Sequence, residues 1–493
     1  MTAARIKYRL LLGATALVLI PCAAVFVARL HLVGLAVGAA LREAGATEVR
    51  FTVTQASLWR VVVRDVGFLL RLQPFSARSV TLDRAHWWMP SLGTLRVEEA
   101  QVPVKLADLG RRPPPAIAEK PSGPARIPFE EISLDGQLVI QAAGLPDQAL
   151  TVKIEARPES PNTWKAKAQV RAPGFGLEGE GTYDLGNGDL AFRVPEVTLD
   201  LKPWQAFLQQ LVPLPAGDWE LEGKFRGRAE GRWAGGKLAA AGSLQLREGR
   251  AASVAKAMAA EGIEADLEFS DLAAIKAKPG ALRIRELRTG QLALSELAAD
   301  FSLEGPDHID VAHATLRALG GRITAEPFSF VPSRAELDAV LLAEGISVQE
   351  VMALTQDLPA KATGRVNGRV PVQIGTDGLR FGTGWLALKP GVPAEIEFNA
   401  KGLLTAGAAA GTPTYAMLQK VESGLLKLSI SELRLDIRPT NAPEGRSAQL
   451  HLKGAPVDPQ VKAPVILDLN VNGPLEKLIN MGMDSRLSIG AGK

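Results

Sequence analysis

Apolar and polar side chains alternate with a period of two through most of the chain after residue 48, and no other feature constrains the fold as tightly. Successive side chains of a strand point to opposite faces, so this pattern describes strands with one apolar and one polar side. Between residues 219 and 230, Trp219, Leu221, Phe225 and Ala229 share one side. Glu220, Glu222, Lys224, Arg226, Arg228 and Glu230 share the other. A second run passes through Ile396 and Phe398. Near the C-terminus Val465, Leu467, Leu469 and Val471 alternate with Ile466, Asp468, Asn470 and Asn472. Turn dipeptides punctuate the runs at Asp135-Gly136, Asn187-Gly188, Asp377-Gly378 and Asn472-Gly473. Antiparallel hairpins are the expected connection, and the regularly interposed helices of a parallel α/β sheet are missing.

The N-terminus follows a different rule. Arg5, Lys7 and Arg9 precede Leu10 to Ala28, nineteen residues without a charge. At ~1.5 Å per residue such a run crosses a hydrocarbon core of about 30 Å. The basic cluster stays cytoplasmic and places everything after Arg29 outside. A cleavable signal peptide fits less well, because Cys22-Ala23-Ala24 is a poor cleavage site and apolar sequence continues beyond it. Pro21 stands where a lipoprotein signal needs a small residue, so Cys22 reads as an inert part of the membrane helix. Leu30 to Leu41 form a second apolar stretch, expected as a helix continuing toward the body.

At 493 residues the chain is too long for one ordinary core, which implies several domains or an elongated repeat. An apolar fraction of 46% with 22% charged residues excludes a mainly disordered chain. The net charge of +3 is spread among both signs, so the concentrated basic face that nucleic acid needs is absent. Cys22 is the single cysteine, which rules out an intramolecular disulfide.

Motifs for chemistry fail inspection. Gly174 to Gly179 spells a dinucleotide fingerprint, yet a strand and a turn follow where a helix is required. Gly231 to Lys237 resembles half a phosphate loop, but Leu238 replaces the magnesium-binding hydroxyl, so a hairpin turn is expected. His308 and His313 stand five apart in one predicted strand, which predicts opposite faces and no shared metal. No catalytic residue, metal site or cofactor is assigned, and an enzyme is not the expected class.

Short helices interrupt the strands. Ser347 and Glu350 fit a capping box. Pro203 suits the first position of a helix reaching Leu211, and Leu475 to Asn480 is a third candidate. Arg111 to Pro128 is too rich in proline for regular structure and marks an internal boundary. A repeat appears at an offset of 141 residues: a short helix, a Leu-Pro pair, then a strand carrying Gly-x-x-x-Gly-Arg. Its glycines are Gly223 and Gly227 in one copy, Gly364 and Gly368 in the other. Repetition of this kind points to an elongated array.

The stretch containing Gly345, the short helix, Gly364, Gly368, Val370-Pro371, Asp377-Gly378, Gly384 and Pro390-Gly391 resembles the YdbH-like family of AsmA-like, bridge-type envelope proteins. The likeness continues through residues 423–439 and 465–478. The resemblance implies a mainly β fold: an N-terminal transmembrane helix, then an elongated, curved, groove-like antiparallel β-sheet with a few short helices. It also implies an inner-membrane anchor and phospholipid carried between inner and outer membranes along the apolar face.

The organisation expected is a cytoplasmic N-terminus over 1–9, a membrane helix over 10–28 and a periplasmic β segment over 29–110. The Pro-rich loop over 111–128, a central groove over 129–340 and a YdbH-like region over 341–493 complete it. Leu221, Phe225, Ile396, Phe398, Val465, Leu467, Leu469 and Val471 are the candidates for contact with acyl chains. About 25 strand candidates at ~4.8 Å spacing would reach on the order of 120 Å, short of the gap between two membranes. The C-terminal strand then offers an open edge, and the resemblance implies a small outer-membrane lipoprotein as its partner, with strand addition expected at Leu487 and Ile489. The alternative is a non-enzymatic envelope assembly or scaffold protein whose strands close ordinary sandwiches and whose surface binds protein partners.

Overall fold

The computed structural model describes residues 29–472 except 44, 71–72, 85–91, 107–127, 212–217, 256, 291, 335, 354–359, 376–377, 399–410, 440–445 and 458–463. The candidate membrane helix over 10–28, the helix candidate at Leu475 and the candidate edge residues Leu487 and Ile489 lie outside the described residues. Among those described, no helix is long and apolar enough to cross a membrane. The chain divides into two units, Met1–Leu199 with Arg228–Ala239, and Asp200–Gly227 with Ala240–Lys493.

The first unit begins with a helix over 29–43 (α1) and continues through β1 (Ala46–Ala56), β2 (Arg60–Leu70), β3 (Gln73–Asp83) and β4 (Thr94–Lys105). Then come β5 (Glu131–Gln141), β6 (Gln148–Pro158), β7 (Thr163–Ala172), β8 (Phe175–Asp184) and β9 (Leu190–Asp200). Their β-branched residues align across the ladder. Val53 stands opposite Val63, Val63 opposite Val80, and Val80 opposite Val97. Leu134 and Ile154 extend the row. Around it Val63, Val66, Ala77, Val97 and Ala100 form a buried cluster. Such rows of paired side chains on one pleated face are what stabilises a sheet.

One pairing departs from expectation: β4 and β5 run parallel. Parallel neighbours need a crossover of a dozen or more residues, and residues 106–130, which contain the Pro-rich stretch, supply that length. Asp135-Gly136, read as a hairpin turn, lies instead within β5. A Cβ on Gly136 would sit 2.5 Å from the carbonyl oxygen of Ala100, so glycine there permits close backbone approach rather than reversal.

The second unit holds α2 (Leu201–Leu211), the first residues of β10 (Trp219–Ala234) and most of β11 (Lys237–Ser253). The long strands β12 (Met258–Asp271), β13 (Lys276–Thr289), β14 (Leu292–Gly305) and β15 (His308–Ala318) follow. Beyond them β16 (Gly321–Ala325) and β17 (Phe328–Val331) both pair between β15 and β18 (Glu336–Ser347). They behave as one strand interrupted around Pro327, which lacks the donor a ladder needs. The unit continues with α3 (Val348–Ala353), β19 (Ala360–Ala362), β20 (Arg365–Gly375), β21 (Gly378–Phe381), β22 (Gly384–Leu388) and β23 (Glu395–Phe398). It closes with α4 (Pro413–Leu426), β24 (Lys427–Ile437), β25 (Arg446–Pro456) and β26 (Val465–Asn472). From β11 to β26 the described pairings are antiparallel.

Helix boundaries follow their caps. The Asp200 side chain accepts from the amide of Lys202 at 3.2 Å, so α2 starts at Leu201, two residues before Pro203. Ser347 caps α3 as expected, its hydroxyl accepting from Glu350 at 3.4 Å. Helix α4 is absent from the sequence expectations. Thr412 caps it, accepting from Tyr415 at 3.1 Å, with Pro413 in its first turn.

Candidate functional site

The second unit presents one apolar and one polar sheet face. On the apolar face, cross-strand rows run without a charged side chain. Leu246 stands opposite Ala265, Ala265 opposite Leu282, Leu282 opposite Ala299, and Ala299 opposite Ala314. Beside this row, Ile263, Ile284 and Leu297 form another. Phe301, Val311 and Phe328 form a third. Leu246, Leu282, Ile284, Leu297, Phe301 and Val311 are all only half-buried. Between two stacked sheets the inward side chains interdigitate and lose their exposure. These do not, so the face over β11–β15 stays partly open.

Elsewhere the same face is closed. Val348 from α3 joins Ile346, Ala362, Val366, Ile396, Leu428 and Leu452 in a buried cluster, against which Val351 and Met352 also pack. In α2, Trp204 and Phe207 are buried, with their rings 5.8 Å apart. The two helices are held alike. Gln205 Oε1 accepts from the amide of Leu221 at 3.0 Å, and Gln349 Oε1 accepts from the amide of Ala362 at 2.7 Å. Downstream, Gly223 and Gly364 both take positive φ, +147° and +108°. The sequence repeat is thus a repeat of structure, with matching helices and matching glycines.

The candidate contact residues fall into three environments. Leu221 and Phe225 are half-buried on β10, on the side opposite exposed Lys224 and Arg226. Val465 and Leu467 are half-buried on β26, where Leu467 faces Leu452. Leu469 and Val471 stand opposite Leu450 and Ala448 in the same ladder, and Phe398 stands opposite Ala360. Ile396 is 5% exposed inside the cluster that α3 closes. It therefore belongs to packed core rather than to the open stretch.

The more open rows on β12–β15 escaped sequence inspection because bulges reset the alternation there. Glu248, Gly262 and Glu296 adopt positive φ, and each flips the phase of its strand. A Glu before a break in the pattern, paired with a basic residue on a neighbouring strand, is the available signal. Glu248 meets Lys224 at 2.6 Å and Glu296 meets Arg317 at 2.7 Å.

The polar face is laced with cross-strand ion pairs, among them Arg247–Asp266 at 2.6 Å, Lys278–Glu268 at 2.9 Å and Lys453–Glu432 at 2.9 Å. The hydrogen bond from Lys224, with its charge, holds the Glu248 carboxyl below the usual range. Lys453 does the same to Glu432. These are exposed, mutually satisfied charges that fix register. His308 and His313 differ from expectation. His308 lies 3.1 Å from Asp310, and a register shift between Val311 and His313 brings His313 opposite Asp300, on the same polar side. Among the described residues no group of three His, Cys, Asp or Glu side chains could hold a metal ion.

Fold and site together define a class: mainly β proteins that present a long apolar sheet face beside a limited closed core. The family described as YdbH-like, intermembrane phospholipid transport protein YdbH, matches residues 136–392, from β5 to just past β22. The match covers more than half of the chain, and the chain belongs to this family. It takes in the central strands as well as the segment from Gly345 to Gly391 that carries the resemblance in the sequence. Membership supports intermembrane phospholipid transport in general terms. No curated protein and no solved structure matches the chain.

Proposed function

We propose that this chain is a non-enzymatic bridge protein, anchored in the inner membrane by residues 10–28 and carrying phospholipid through the periplasm toward the outer membrane. The observation that carries this reading is the set of half-buried apolar rows over β11–β15, with ion pairs such as Arg247–Asp266 and Lys278–Glu268 on the opposite side. Acyl chains gain about 0.8 kcal/mol per CH₂ removed from water, so a row of Leu, Ile and Phe is a favourable track for them. Headgroups stay in solvent above it. Equivalent rows give no single deep minimum, which lets a chain slide. A polar substrate would find no converging donors on this face.

The anchor reading rests on the uncharged run after Arg5, Lys7 and Arg9. A reporter fused after Lys493 is expected to report the periplasm, and a cytoplasmic signal would reject the topology. At the far end, Leu487 and Ile489 are assigned to a strand that adds to a small outer-membrane lipoprotein. Leu487→Pro and Ile489→Pro remove ladder donors, and capture of that partner should fail while the body stays folded. The transport reading itself is tested by a photo-crosslinking side chain at Phe301 or at Leu267, which is half-buried on β12 two residues beyond Ala265 and opposite Leu244. Phospholipid adducts support it, whereas protein adducts alone would favour a scaffold.

A further inference from the structure

Helix α1 carries apolar side chains on both faces. Its inner face is seated on β1: a Cβ on Gly34 would lie 3.5 Å from Val53 Cγ2, and one on Gly38 would lie 3.6 Å from Phe51 Cζ. Glycine at these two positions, one turn apart, brings the helix axis down onto the sheet. The outer face has no counterpart among the described residues. Leu32 is 51% exposed, Leu35 60% exposed, and Leu30, Ala36, Ala39 and Ala40 are exposed beside them. The exposed imidazole of His31 lies at the N-terminal end of the helix, but the rest of this face is apolar until Arg42, and exposed apolar patches mark interaction surfaces.

What covers that face is argued from the chain that precedes it. The uncharged run Leu10–Ala28 ends at Arg29, the residue with which α1 starts, and no Asp, Glu, Lys or Arg follows until Arg42. At ~1.5 Å per residue α1 is roughly 22 Å long, too short to cross a core of about 30 Å. With that run directly upstream, a lipid surface is the nearest apolar phase, and Arg29 and Arg42 suit its headgroup level at the two ends.

We infer that the outer face of α1 lies against the acyl chains of the membrane leaflet next to the body, while its inner face rests on Phe51 and Val53. Helix α1 is then a wall shared by the bilayer and the first strand, and the apolar face of β1 begins where the lipid ends. This rests on the proposed anchor and deepens it by naming the surface that meets the membrane.

The test uses the full-length chain in vesicles of phosphatidylethanolamine and phosphatidylglycerol, with a benzophenone side chain placed singly at Leu32, Leu35, Thr54 or Leu267. Acyl-chain adducts are expected at Leu32 and Leu35 and absent at Thr54, which is exposed on the other side of β1. Leu32→Asp introduced beside the Leu35 label should abolish the Leu35 adduct with the thermal midpoint unchanged, since Leu32 is exposed. Adducts at Leu35 to a second copy of the chain, or none at all, overturn the inference. If Leu267 still captures phospholipid in that case, the transport reading stands and only the seat of α1 is wrong. Loss at Leu267 with capture at Leu35 has the opposite meaning.

Discussion

The side-chain oxygen of Gln349 accepts the amide proton of Ala362 at 2.7 Å, tying α3 to the strand that follows it. Gln205 makes the corresponding bond to Leu221 from α2. Ala362 is buried, so removing its acceptor strands an amide away from water. Gln349→Ala should destabilise the second unit by about 1–3 kcal/mol, while Gln349→Glu keeps an acceptor and costs less. Denaturant midpoints of the two variants check this, and equal midpoints would show that the bond is incidental.

Glycine at 368 is required by contact rather than by φ. A Cβ there would sit 2.1 Å from the carbonyl oxygen of Trp385, inside the ladder between β20 and β22. Gly368→Ala must push β22 away and should cost about 1–3 kcal/mol. At Gly67 in β2 a Cβ meets nothing within 4 Å, so Gly67→Ala should stay within ~0.5 kcal/mol of the parent. Thermal unfolding of both variants separates the two positions.

An open face and a closed core respond differently to a buried carboxylate. Phe301→Asp lies on the half-buried stretch, where the charge can hydrate, so folded protein should persist while phospholipid adducts at Leu267 disappear. Ile396→Asp places the same charge in the cluster closed by α3, at a cost of several kcal/mol, and should unfold the unit. If Phe301→Asp also unfolds it, the face is covered and the scaffold reading gains.

Acid should weaken one specific tie. Asp218 accepts from the Ser253 hydroxyl at 2.7 Å and the Ala255 amide at 3.1 Å, and these bonds, the hydroxyl first, hold its carboxyl below the usual range. A lowered folded pKa gives a contribution that is complete above the unfolded value and is lost as pH falls through the folded one. Asp218→Asn should therefore lose stability at neutral pH and show a flatter acid limb than the parent. Parallel pH profiles would count against this.

Period-two alternation in the sequence already determines that this is a strand-rich chain with one apolar and one polar side, because a strand's side chains have no other way to distribute themselves. Other local signals determine the helix starts at Ser347 and near Pro203, the hairpin at Asn187-Gly188, and the family. Each of these is a local property: the residues that make the signal are the ones that form the element. The parallel pairing of β4 with β5 is different. It joins strands separated by residues 106–130, and its glycine looks in isolation like a turn.

Tertiary structure alone decided which part of the apolar face is core and which is open. Ile396 and Leu282 sit in equally alternating runs, yet α3 closes over one while the other stays half-buried. Bulges at Glu248 and Glu296 hid the open rows for the same reason, since a bulge breaks the phase within a strand while ladder pairing restores it across strands. Burial depends on what other elements lie above a residue, and no window along the chain contains that information.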